Sequence, residues 1–266
     1  MDKDQIIAGK NKIISRYGAW TSHDIYLGQG ISTLNKNTKG FDNGSRGYLQ
    51  LLKHYGYTDL TDCRILDLGC LEGVYTIELA QLGAKTVGIE GRKKNFVKAV
   101  FARDVLGLEN CALHLDDVRN LTRAKYGMFD LVIASGILYH LDMPDVVQLL
   151  EAIASVLQGA VIVDTHIALE NLHDNPHNLS PLEERKYKNV AYRGRCYPEH
   201  SVSDSEGAKA NRLWASIGNV ESFWLTKASV YTAFVSSGFT TVSQYLWSAN
   251  QCTAVNDRCT FVGIKA

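Results

Sequence analysis

Residues 64–76, Arg64-Ile-Leu-Asp-Leu-Gly-Cys-Leu-Glu-Gly-Val-Tyr-Thr76, read together with Thr86-Val-Gly-Ile-Glu-Gly-Arg92, decide the fold of this chain. Ile65 to Leu68 is a short apolar run of the kind a buried parallel strand carries. Gly69 and Gly73 predict a tight turn, and Tyr75 to Leu82 has the apolar spacing of a helix laid on a sheet. Glycines at such a turn let backbone N–H groups approach a ligand at the helix N-terminus. A second strand, Thr86 to Ile89, ends at Glu90, where an acidic side chain can accept hydrogen bonds from both hydroxyls of a ribose. The unit reads as a nucleoside-binding βαβ half. Gly-x-Gly-x-x-Gly is absent, and that matters chemically. A dinucleotide pyrophosphate needs bare N–H groups, whereas Asp67 and loop carbonyls offer acceptors for an ammonium.

Two further strands follow in the same direction. Lys93 to Leu106 reads as a helix and Cys111 to Leu115 as a strand that runs into Asp116-Asp117-Val118, the start of a short helix from Val118 to Arg123. Phe129-Asp-Leu-Val-Ile-Ala-Ser-Gly-Ile-Leu-Tyr-His-Leu141 is a central strand whose end, Ser135 to His140, emerges where open α/β sheets bind their ligands. Asp142 to Leu157 is the next helix, and Ala160 to His166 an apolar strand ending at the same edge. Lys227 to Ser237, Thr241 to Trp247 and Cys259 to Ile264 supply a closing helix and two strands.

Asp67-x-Gly69-x-x-x-Gly73 resembles the first motif of class I S-adenosylmethionine-dependent methyltransferases, with Leu71 standing where the family's middle glycine usually is. The resemblance implies a Rossmann-like α/β fold: a seven-stranded, mostly parallel sheet with its last strand antiparallel and helices on both faces. It implies S-adenosyl-L-methionine as cofactor. Contacts to it would come from Asp67, Gly69, Cys70, Leu71 and Gly73, from Glu90 and Gly91, from Asp117 and Val118 at the adenine (Asp116 being the alternative acid), and from Ser135 and Gly136. Within the class, Gly136-Ile-Leu-Tyr-His140 resembles a segment of the bacterial tRNA wobble-uridine carboxymethyl transferases, and Lys39-Gly-Phe41 resembles a lysine segment those enzymes use against a carboxylated cofactor. Their C-terminal arginine has no match here, so ordinary S-adenosylmethionine is expected.

Composition narrows the partners. Lys plus Arg and Asp plus Glu both total 28, giving a net charge of zero and no global field to hold nucleic acid. The six cysteines lack CxxC spacing and read as reduced thiols of a cytoplasmic protein. No signal peptide or membrane-spanning run is expected. The chain divides into an N-terminal helical segment (1–60), the cofactor-binding core (61–168), an insertion capping the substrate site (169–223), and a helix with strands completing the core (224–266). In the first segment Trp20, His23 and Tyr26 either fold over the cofactor or pack beneath the first helix, Asp4 to Tyr17.

The acceptor chemistry falls to few side chains. His140 or His166 is the base that an oxygen acceptor would need, with Tyr139 against the sulfonium. In the insertion, Arg193 and Arg195 are candidates to hold a carboxylate or phosphate of a small-molecule substrate, with Tyr197 and Trp224 beside them. No metal is expected, because the histidines lack a ligand spacing; a metal-assisted rival would draw on Asp164, His166, His173, His177 or His200. A non-catalytic cofactor-binding protein is the other rival.

Overall fold

Helix α1 (Lys3–Tyr17) begins in a capping box, with Asp2 accepting from the Gln5 N–H and the Gln5 side chain answering the Asp2 N–H. The computed structural model describes residues 1–35, 43–172, 174–246 and 257–265. Met1–Asp117 form one compact unit and Val118–Ala266 a second. That boundary cuts the segment 61–168, treated above as one core, at the end of its adenine motif.

In the first unit, α1 is followed by the small hairpin β1 (Tyr26–Gly28) and β2 (Ile31–Ser32), then α2 (Asn43–His54). The helix expected over Tyr48 to Tyr55 therefore starts more than a turn earlier. Strand β3 (Arg64–Leu68), α3 (Val74–Gln81), β4 (Lys85–Glu90), α4 (Lys93–Leu106) and β5 (Cys111–Leu115) complete it. β3 pairs parallel with β4, and β4 with β5. Ile6, Ile25, Leu27 and Ile31 pack against Val74, Ile77 and Ala102, so the N-terminal segment is part of this unit's core.

The second unit holds α5 (Arg123–Tyr126), β6 (Phe129–Ser135), α6 (Asp145–Val156) and β7 (Leu157–His166). β7 begins three residues earlier than expected, because Leu157 leaves α6 straight into extended backbone and pairs with Phe129. The insertion is itself ordered: β8 (Glu183–Tyr187), β9 (Val190–Pro198), α7 (Glu206–Asn211) and β10 (Glu221–Leu225). β9 lies between β8 and β10 in an antiparallel three-stranded sheet. Helix α8 (Lys227–Ser236), capped by the Thr226 hydroxyl on the Ser229 N–H, then leads to β11 (Thr241–Tyr245) and β12 (Arg258–Ile264).

The large sheet has seven strands in the order β11-β12-β7-β6-β3-β4-β5. β12 runs antiparallel to both β7 and β11, so the expected mostly parallel sheet with its reversed last strand is observed. Trp247, His173, Cys252 and the Lys39 segment lie outside the described residues. Among the described residues no helix is long and apolar enough to cross a membrane.

Candidate active site

The first unit builds a nucleoside-type turn between β3 and α3. Gly69 and Gly73 have φ of 69° and 89°, and a Cβ on Gly73 would come within 2.8 Å of Ala99. Gly73 therefore requires glycine, and Gly69 takes a conformation that glycine adopts without strain. Leu71, at the family's usual glycine, also takes the left-handed region, at φ 52°. For a branched side chain this costs about 1–2 kcal/mol. Its N–H donates to Glu90 Oε2 at 2.9 Å, which holds the strained residue in place.

Glu90 ends β4 buried, with Oε1 accepting the Arg92 N–H at 2.7 Å and Oε2 that of Leu71. Burial raises its pKa to about 7, against the opposing pull of those two N–H groups and Asn95. Asp67 is also buried, accepts the Thr76 hydroxyl at 2.6 Å, and is raised by burial to about 6. It ties β3 to α3. Cys70 is likewise turned inward, its thiol pushed well up by burial, with Asp67 and Glu90 adding to it. Gly91 follows Glu90 half-buried; Asp117 and Val118 follow β5, with the Asp117 N–H donating to Asp116 Oδ1 at 2.9 Å.

Sequence reading missed the ion pair under this turn. Glu72 and Lys98 are both fully buried, 3.0 Å apart. Glu72 also accepts the N–H groups of Thr21, Ser22 and His23, while Lys98 reaches the Ala19 carbonyl at 2.6 Å. The His23 ring accepts the Val74 N–H, and Trp20 packs on Phe101. Trp20 is buried, with Phe101 and Lys98 of α4 against its ring.

The second unit gathers its chemistry at the carboxyl ends of β6 and β7. Ser135 ends β6, and Gly136 (φ 75°) donates its N–H to the Asp164 carbonyl, turning the chain into a 3-10 turn at Leu138–His140. His140 Nδ1 lies 2.8 Å from Glu199 Oε1. Glu199 is buried, and its Oε2 accepts the Ser216 N–H at 2.8 Å. With Nδ1–H given to the carboxylate, Nε2 carries the lone pair. Glu199 stands 59 residues along the chain from His140, immediately after the Tyr-Pro pair of the insertion. A carboxylate in an ordered, aromatic insertion was the available signal for it.

Tyr139 packs beside His140 and edge-on to His166 and Trp224. Trp224 stacks on His166 at 4.8 Å and on Tyr197 at 5.0 Å. Burial raises the Tyr139 phenol, which therefore stays a donor, although the nearby Arg258 guanidinium opposes that shift. Arg258 itself grips Asp164 through Nε and Nη2, both at 2.6 Å. Tyr139, His140, His166, Tyr197 and Trp224 are thus brought together as expected.

The two insertion arginines are not. Arg195 is buried and spends its guanidinium on the carbonyls of Leu169, Glu170 and Ser180, so it staples the insertion instead of facing a substrate. Arg193 is exposed and pairs with Glu170 at 3.5 Å, a surface contact worth little.

The sequence profile of a methyltransferase domain matches residues 59–222, more than half of the chain. The chain belongs to that family. This methyltransferase is 28% identical over 106 residues to the magnesium-protoporphyrin O-methyltransferase of Rhodobacter capsulatus, a match spanning 39% of this chain and 45% of that enzyme. Its fold is similar to the N-terminal domain of EvdMO1, crystallised in the presence of SAH and D-fucose, with TM-score 0.72, 23% identity and coverage of 100% of this chain and 98% of that one. It is also similar to magnesium protoporphyrin IX methyltransferase (ChlM) from Synechocystis PCC 6803 with bound SAM, at TM-score 0.53, 15% identity and coverage of 100% and 98%. Each of the two solved structures carries the fold.

Proposed function

We propose that this methyltransferase uses S-adenosylmethionine to methylate a hydroxyl oxygen of a small molecule, with His140 as general base and Glu199 as its positioning residue. The observation that carries the reading is the 2.8 Å contact between His140 Nδ1 and a buried Glu199 carboxylate at the end of β6. A base is wanted only where the acceptor must lose a proton, so the pair favours oxygen over amine acceptors. The aromatic group of Tyr139, Tyr197 and Trp224 favours a small ligand with an apolar or ring face.

The cofactor supplies a methyl group already activated on a sulfonium. Glu90 would accept from both ribose hydroxyls, and Asp117 from the adenine amino group. When bound, the cofactor would give up that methyl group to the acceptor oxygen and keep the C–S electron pair on sulfur, and His140 Nε2 would take the proton of the acceptor hydroxyl. Glu199 holds the imidazole in the basic tautomer and stabilises the imidazolium that results. The EvdMO1 and magnesium-protoporphyrin relatives support a small-molecule acceptor.

The test is to incubate the chain with methyl-labelled cofactor and panels of hydroxylated, carboxylated and amino small molecules, including sugars. Label should pass to hydroxyl compounds. Label that remains on a tightly bound cofactor with every panel would instead favour a non-catalytic binding protein.

Glu90→Ala should weaken cofactor binding by about 2–4 kcal/mol, since two charge-assisted hydrogen bonds are lost. The pH dependence has a definite sign. Glu90 is raised to about 7 in the empty protein, while the ribose hydroxyls bind its ionised form. Affinity should therefore be full above pH 7 and fall roughly tenfold per unit below it. Calorimetry between pH 8 and 6 measures this, and Glu90→Gln should flatten the curve. The same shift, with that of Asp67 to about 6, acts in reverse on the empty fold. Its stabilising contribution is full below the ordinary carboxylate range and is lost as pH rises through 6 and 7.

A further inference from the structure

We infer that His166, His177 and Asp257 form a binding site for a first-row transition-metal dication of the zinc or iron(II) type, beside the aromatic group of the second unit. Each residue offers one donor atom, and the three atoms lie within 4.8 Å of one another. Asp257 Oδ1 is 3.3 Å from His166 Nδ1, and Asp257 Oδ2 is 3.2 Å from His177 Nε2. Ligands held about 2.0–2.2 Å from a common ion in tetrahedral geometry stand roughly 3.3–3.5 Å apart. The His166 contact to Oδ1 has that length, and the His177 contact to Oδ2 is shorter by about 0.1 Å.

The second observation is what these contacts fail to do. His166 Nδ1 and Asp257 Oδ1 are buried and make no hydrogen bond, although they face one another. The neighbouring His140–Glu199 pair has the same two functional groups and closes to an aligned 2.8 Å bond. Asp257 is only 7% exposed. Burying an imidazole nitrogen and a carboxylate oxygen in mutual view without a bond is costly unless something else satisfies them. A cation between them does so.

The three groups are held from outside. Ile167, next to His166, donates its N–H to the Asp257 carbonyl at 2.7 Å. Asn175 clamps Leu179 through two hydrogen bonds of 2.8 Å, fixing the turn that carries His177. Trp224 stacks on the His166 ring. His166 Nε2 faces Arg258 Nη1 at the long distance of 3.4 Å. An ion on Nδ1 would put the ring proton on Nε2 and so give up this weak contact, while Arg258 keeps its two 2.6 Å bonds to Asp164.

Two imidazoles and one carboxylate select the metal. Magnesium and calcium want oxygen ligands, whereas this donor set suits zinc, iron(II) or cobalt(II) and leaves at least one position open. The open position would take an oxygen-bearing ligand next to Tyr139 and Trp224. The inference stands apart from the role of His140.

The experiment uses the full chain, stripped with a chelator and titrated separately with zinc, cobalt(II) and magnesium chloride by calorimetry. Cobalt(II) binding is read in addition by its visible absorption. One equivalent of zinc or cobalt(II) should bind, and magnesium should not compete. His177→Gln and Asp257→Asn should each weaken binding by at least roughly 100-fold. His177 is a partly exposed turn residue, so His177→Gln keeps the test open if Asp257→Asn fails to fold. Calorimetry with S-adenosylhomocysteine should give unchanged affinity in His177→Gln, which separates loss of the metal from failure of the cofactor reading. Absence of stoichiometric zinc or cobalt(II) binding, or binding indifferent to His177→Gln, overturns the assignment.

Discussion

Replacing His140 by alanine is expected to lower the rate of methyl transfer by roughly 10² to 10⁴ while leaving cofactor affinity nearly unchanged. The residue belongs to the second unit, and Glu90, the proposed ribose ligand, to the first, so the two effects are separable by calorimetry and single-turnover kinetics. Glu199→Gln keeps the shape of the pair, with Oε1 2.8 Å from Nδ1 in the parent. It removes the anion that fixes the tautomer, so the rate should fall by roughly 10 to 10³. His166, the other base considered from sequence, gives the control. Its alanine variant should lose less of the single-turnover rate than His140→Ala. A full rate in His140→Ala would sink the assignment, and so would a larger loss in His166→Ala.

Lys98→Met should be the most destabilising single change in the first unit, by about 3–5 kcal/mol. It removes one partner of a pair whose side chains are both fully buried and leaves the Glu72 carboxylate without its cation. The three backbone N–H groups from Thr21, Ser22 and His23 still bind that carboxylate, so the loss should sit at the lower end of the range. Pairing the change with Glu72→Gln removes the stranded charge and should restore part of the stability. Urea denaturation of the two variants and the parent measures both effects. Equal losses in the single and double variants would mean that the charge pair is not what matters there.

Much of this architecture was readable because it is written in short periods. Strands β3 and β4 carry short apolar stretches, β6 has Leu131-Val-Ile-Ala134 in succession, and Gly69 and Gly73 take positive φ, so their spacing carries the turn. Glu90 was visible for a similar reason: it is the last residue of its strand. What escaped notice involves contacts between distant parts of the chain. Lys98 and Glu72 look like ordinary surface charges of a helix and a loop until the N-terminal segment is laid over them. Arg195 looked like an anion holder because a basic residue between aromatic ones suggests a site; its burial among carbonyls shows otherwise. Leu71 looked like a defect in the glycine motif. It adopts the glycine conformation anyway, held by its N–H bond to Glu90.

The segment that carries His140, the proposed base, is held by the insertion. The Phe223 N–H donates to the Leu141 carbonyl, Asn219 to that of His140, and Arg185 binds Asp142 at 2.6 Å. Glu199, which orients the imidazole, arrives on the same insertion, and so do Tyr197 and Trp224. Exchange of this stretch between relatives would therefore transfer acceptor preference and base alignment as one heritable block, while the cofactor half stayed as it was. Recombination is then tolerated just outside residues 169–225, the insertion 169–223 with the end of β10 that carries Trp224, and disruptive inside them, and a library for new acceptors is best cut there.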